Sequence, residues 1–116
     1  MSMVDELKEL GANVDEAMKR FMNNAALYEK MLKKLPKMLN GTKVVEDIDQ
    51  GNIDGAIETA HTMKGVLGNL SITPLYEAYT EVVTLLRQND SQKARSILEE
   101  NIPIEKEVAE CIEKYQ

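Results

Sequence analysis

Apolar residues recur at helical spacing along nearly the whole chain, and only short breaks separate the stripes. That pattern limits the chain to helices buried on one face each. From Ala25 onward the apolar positions are 27, 28, 31, 32, 35, 38 and 39, the spacing of a continuous stripe along a helix. After Thr73-Pro74 the same repeat runs through Leu75, Ala78, Tyr79, Val82, Leu85 and Leu86. A last stripe takes in Ala94, Ile97, Leu98, Ile102, Val108, Cys111, Ile112 and Tyr115. No segment alternates apolar and polar residues for long, as a half-buried strand would. The expected fold is all-α. Short connections favour antiparallel neighbours, so an up-and-down four-helix bundle core with one or two short additional helices is the natural architecture.

Local signals mark the boundaries. Residues 3 to 10 form a short amphipathic stretch with its acids early, which Gly11 can end. Asn13 reads as the cap of a second helix to about Met22, with Glu16 in a capping-box-like position. Asn23-Asn24 is the next break, and Pro36 is expected to kink the third stripe or end it early. Asn40-Gly41 is a turn signal before a helical piece over 43 to 50. Asn52 then caps a helix to about Leu70, Thr73 caps the next with Pro74 at its first position, and Ser91 caps the last. Pro103 should kink or divide that last segment. With 116 residues and no linker, the whole span 1–116 is expected to be a single domain.

Composition narrows the function. Twenty acidic residues against fourteen basic ones give a net charge of −6, which argues against nucleic-acid binding through neutralised phosphates. A single cysteine, Cys111, excludes an internal disulfide and thiolate-rich zinc sites, and its neighbours Val108, Ala109 and Ile112 mark it as a core thiol. No apolar run reaches the roughly 20 residues of a membrane span, so a cytoplasmic protein is expected. The acidic runs Glu99-Glu100 and Glu105 to Glu110 read as solvated faces of the last helix. Methionines such as Met18, Met22, Met31 and Met38 read as core filler, or as an adaptable docking surface on the first helices.

One segment breaks local rules. Residues 60 to 71 read AHTMKGVLGNLS, with the only histidine of the chain, His61, and with Gly65 and Gly68 inside a long helix. Each such glycine costs about 1 kcal/mol relative to alanine. At roughly 100° per residue, Ile53, Ala56, Ala60, Met63, Leu67 and Leu70 share the core-facing arc. Lys64, Gly68, His61 and Gly65 fall together on an adjacent arc. An imidazole is thereby flanked by backbone without side chains and by a fixed positive charge. Neutral histidine is a nucleophile near pH 7, and an ammonium stabilises the spread charge of a transferring phosphoryl group. No Gly-rich phosphate loop accompanies it, so the phosphoryl group would come from another protein and not from bound ATP.

Ala60-His61-Thr62-Met63-Lys64-Gly65, with Gly68 and Leu70 behind it, resembles the A-H-x-[LIM]-K-G-x-x-x-x-L signature of histidine-containing phosphotransfer domains. An acidic first helix, an L-x-K-x-L-P-like third helix, the Gly51-Asn52 turn before the histidine and L-x-x-L-Y after it extend the resemblance over roughly residues 3 to 100. The resemblance implies a phosphocarrier of a two-component multistep phosphorelay, without enzymatic turnover of its own. His61 would be the phosphoacceptor, phosphorylated on Nε2 by the phospho-aspartate of a response-regulator receiver domain, or donating to one. Lys64 would assist electrostatically, and Gly65 and Gly68 would give steric access. No cofactor of its own is implied, magnesium being expected on the partner receiver domain. Response-regulator receivers or a histidine kinase are the implied partners, with no nucleic acid or membrane insertion, and the carrier is expected to be a monomer. Leu67 and Ser71 depart from the pattern, where a small residue and a glycine are common; neither touches the reactive group. Two alternatives remain open: a non-transferring docking module that binds receivers, and the phosphoacceptor domain of a larger hybrid or chemotaxis-type kinase.

Overall fold

The computed structural model describes all residues from Met1 to Gln116. Seven α-helices and one short 3-10 helix make up the chain, with no strand. Three short helices come first: α1 (Met3–Glu9), α2 (Val14–Arg20) and α3 (Ala25–Leu32), followed by the 3-10 turn Leu35–Lys37. Four further helices, α4 (Gly41–Asp49), α5 (Ile53–Asn69), α6 (Thr73–Arg87) and α7 (Ser91–Glu113), build the bundle. Within it α5 packs on α4 and α6, and α7 packs on α6 and α4, which closes the ring of four. The expected all-α bundle is present, and α1 lies against α7 while α3 and the 3-10 turn complete one side.

The core follows the apolar stripes. Tyr28, Leu32, Leu67, Leu75, Tyr79, Leu86, Leu98 and Ile112 are fully enclosed within one cluster of 25 buried residues. Of the core arc read from the sequence of α5, Ala56, Ala60, Met63, Leu67 and Leu70 are buried, and only Ile53 at the helix start is half-buried. Cys111 is buried as expected. Burial, then the nearby Glu6 carboxylate, pushes its thiol upward, away from the reactive thiolate.

The bundle turns corners by one device. The connections 50–52, 70–72 and 88–90 have three residues each. In each, the middle residue is left-handed: Gly51 at φ +76, Ser71 at φ +57 and Asn89 at φ +63. The next amide then donates back five residues, from Asn52 to Asp47 O, Ile72 to Leu67 O and Asp90 to Leu85 O. This is the Schellman closure, which satisfies carbonyls at the helix end.

Several boundaries differ from the sequence reading. Asn13 caps α2 by accepting from the Glu16 amide, but Glu16 does not complete the box, because its carboxylate accepts from the Ser71 hydroxyl instead. Thr73 is the first residue of α6 and not its cap; its hydroxyl donates to the Ser71 carbonyl. Asp90 caps α7 in place of Ser91, since its longer carboxylate reaches the Lys93 amide. Pro36 ends α3 early, with the proline taken into the 3-10 turn. Pro103 does not divide α7, which runs unbroken across it. The solvated-face reading of the acidic runs fails at Glu105. It is only 6% exposed, accepting from the Tyr79 hydroxyl at 2.5 Å and from the Gly41 amide at 3.2 Å. Nor are all the methionines core filler, for Met22 is 87% exposed and Met38 is exposed too.

Candidate functional site

α5 carries the singled-out residues, and the Asn52 side chain starts it by accepting from the Gly55 amide. With Ala56, Ala60, Met63 and Leu67 turned into the core, the neighbouring arc faces outward. His61 and Gly65 are exposed, while Lys64 and Gly68 are half-buried. All four line one open hollow of about 650 Å³, as the helical wheel placed them together. The backbone positions of His61 and Lys64 lie about one turn apart, about 4.5 Å along the helix axis. Lys64 takes part in none of the ion pairs within the chain.

The two glycines do different things. A Cβ on Gly65 would meet nothing within 4 Å, so its contribution is open space. A Cβ on Gly68 would lie 2.8 Å from two ring atoms of Tyr76, so this position lets the α6 tyrosine lie close against α5. Gly68 therefore serves helix–helix contact at least as directly as access. Leu67 is fully buried, in keeping with its coreward place on the wheel.

Sequence reasoning missed the rest of the wall. Glu16 and Arg20 of α2, Ser71 at the corner, and Tyr76 and Glu77 of α6 also line the hollow. Ser71 is thus nearer to the site than its sequence position suggested. Its hydroxyl donates to Glu16 Oε1 at 2.8 Å and accepts from Arg20 Nη1 at the same distance. Arg20 Nη1 also donates to the Asn69 carbonyl at 3.0 Å, and the Asn13 amide donates to the Ser71 carbonyl. The Ser71 hydrogen bond, with a smaller part from Arg20, holds the Glu16 carboxyl below the usual range. These links cross about fifty residues of sequence. Only the departure from glycine at Ser71 signalled them.

Fold and hollow together define a helical module that presents one histidine on an open helix face. The chain belongs to the Hpt domain family, whose model matches residues 2–116, essentially its whole length. No curated protein and no solved structure matches it. As a member of that family it is a histidine phosphotransfer module of two-component phosphorelay signalling. Hpt domains are phosphocarriers and not catalysts, and they interact with response-regulator receiver domains and kinases. No helix is long and apolar enough to cross a membrane.

Proposed function

We propose that His61 is the phosphoacceptor, taking a phosphoryl group from, or giving it to, the aspartate of a response-regulator receiver domain. The observation that carries this reading is the exposed imidazole sharing one open hollow with Lys64 and the bare backbone of Gly65. In the forward step the Nε2 lone pair attacks the phosphorus of the aspartyl phosphate. A nitrogen–phosphorus bond forms, the bond from phosphorus to the aspartate oxygen breaks, and the electron pair leaves with the carboxylate. The Nδ1 proton stays on the ring. The reverse step returns the group to a receiver. Lys64 offsets the charge on the equatorial phosphoryl oxygens, and Gly65 lets the receiver approach without collision.

The protein has no turnover of its own in this scheme and needs no cofactor; magnesium belongs to the receiver and neutralises charge there. Residues 1–116 act as one unit, in the cytoplasm, as a monomer whose reactive face stays open.

The deciding experiment is phosphotransfer from a phosphorylated receiver to the native protein and to His61→Gln. Acid-labile, base-stable phosphate on the native chain alone is the expected result. Binding without phosphate uptake would replace the carrier by a docking module.

A further inference from the structure

We infer that Arg20 is a partner-selecting residue: its guanidinium, held at the end of the His61 hollow by Ser71 and Asn69, pairs with an acidic side chain of the docked receiver. The inference rests on the phosphocarrier reading and adds to it a residue that discriminates among receivers.

Arg20 is fixed by neutral acceptors. Nη1 donates to Ser71 Oγ at 2.8 Å and to the Asn69 carbonyl at 3.0 Å. Its ion pair with Glu16 is loose, at 3.5 Å, because the same Glu16 oxygen takes the Ser71 hydroxyl proton at 2.8 Å. A guanidinium has five N–H donors in a rigid fork, and this side chain is 39% exposed. The remaining donors are therefore presented to solvent in a set orientation. A pre-ordered fork is suited to a carboxylate and loses little freedom on binding.

Distance separates docking from chemistry. Arg20 is anchored at Asn69, eight residues beyond His61, or about 12 Å along the helix. That is too far for contact with a phosphoryl group on the imidazole. It lies well inside a standard interface, where about 800 Å² per partner corresponds to a patch roughly 16 Å in radius. The net charge of −6 gives no general attraction for an acidic partner. Local cations, Lys64 near the transferred group and Arg20 at the far end, supply it where it is needed.

Ser71 makes the arrangement more than incidental. Among the three bundle corners, the left-handed position is glycine, serine and asparagine in turn. Glycine and asparagine are the residues that accept this conformation readily. Serine is retained at the corner beside Arg20, 2% exposed, where its hydroxyl orients both Arg20 and Glu16. A glycine there could turn the corner but could not hold the arginine.

The test is transfer from two or more phosphorylated receivers to the full chain, with KM and the saturating rate resolved. Arg20→Ala is expected to raise KM about fivefold to tenfold, unequally between receivers, with an unchanged saturating rate. Ser71→Gly should raise KM while leaving the unfolding midpoint equal or higher, an outcome a purely structural role would not give. Arg20→Lys, which keeps the charge and loses the fork, should recover KM in part. Native KM for Arg20→Ala with every receiver would overturn the inference. If the native chain takes up no phosphate, the carrier reading falls by itself. Receiver affinity measured by calorimetry then decides on Arg20, with equal affinity of native and Arg20→Ala counting against it.

Discussion

Gly65 and Gly68 are three residues apart on one helix and meet opposite surroundings. Replacing Gly65 by alanine adds a methyl into open space, so the helix should gain up to about 1 kcal/mol from propensity alone. Gly68→Ala is expected to gain less, because the Tyr76 ring must give way. Comparing the two denaturation midpoints checks this, and the opposite order would mean that the ring moves freely. A larger residue separates stability from access. Gly65→Gln should fold normally and accept phosphate at a clearly lower rate, since its side chain occupies the approach to His61. Tyr28 shows how a residue can be polar and central together. Its hydroxyl donates to the Leu70 carbonyl at 2.9 Å inside the core, and burial pushes the phenol up to about 12. It remains a neutral donor at any physiological pH.

At the scale of elements, α7 shows that a proline can be carried through a helix when both sides of it are anchored. Ala94 and Leu98 before Pro103, and Val108, Cys111 and Ile112 after it, are buried. Burial on both sides outweighs the missing amide, whose usual helix-interior cost is about 3 kcal/mol. Pro103 itself is exposed. Pro103→Ala should restore the hydrogen bond to the carbonyl four residues back and raise stability by about 1–3 kcal/mol in chemical denaturation. An unchanged midpoint would show that the helix had already relaxed around the ring. The start of α4 is tied to α7 in a different way. The Gly41 amide and the Tyr79 hydroxyl both donate to Glu105, so a carboxylate from a third helix joins α4 and α6.

For the whole molecule, that buried carboxylate sets a distinctive pH dependence. Burial, outweighing the hydrogen bonds from Tyr79 and Gly41, raises the Glu105 carboxyl above its ordinary value of 4.5. A raised acid binds protons more tightly in the folded state, so its contribution is full below about 4.5 and is lost as pH rises through the folded value. Glu6 and Glu16 are lowered, by hydrogen bonds from Lys114 and Ser71 first, and act in the opposite sense. Their contribution is present above 4.5 and lost as pH falls through their folded values. Native stability relative to Glu105→Gln should therefore decline from pH 4.5 upward, in urea midpoints measured across that range. Parallel curves would contradict a raised Glu105.

Helix existence, the core arc of α5 and the grouping of His61, Lys64, Gly65 and Gly68 were legible in the sequence because each depends on spacing within one helix. A period near 3.6 residues decides which side chains share a face before any partner is known. Capping positions were legible only to within a residue, since serine, threonine and aspartate in adjacent places compete for the same amides. Tertiary structure alone decided the burial of Glu105, the diversion of Glu16 from its capping box and the clasp of Arg20 by Ser71. Each joins residues distant in the chain, and a carboxylate on a helix reads as solvated until a neighbouring hydroxyl and amide are known to face it. The face that carries His61 belongs to the sequence of one helix; the wall around it exists only where α2, α5 and α6 meet.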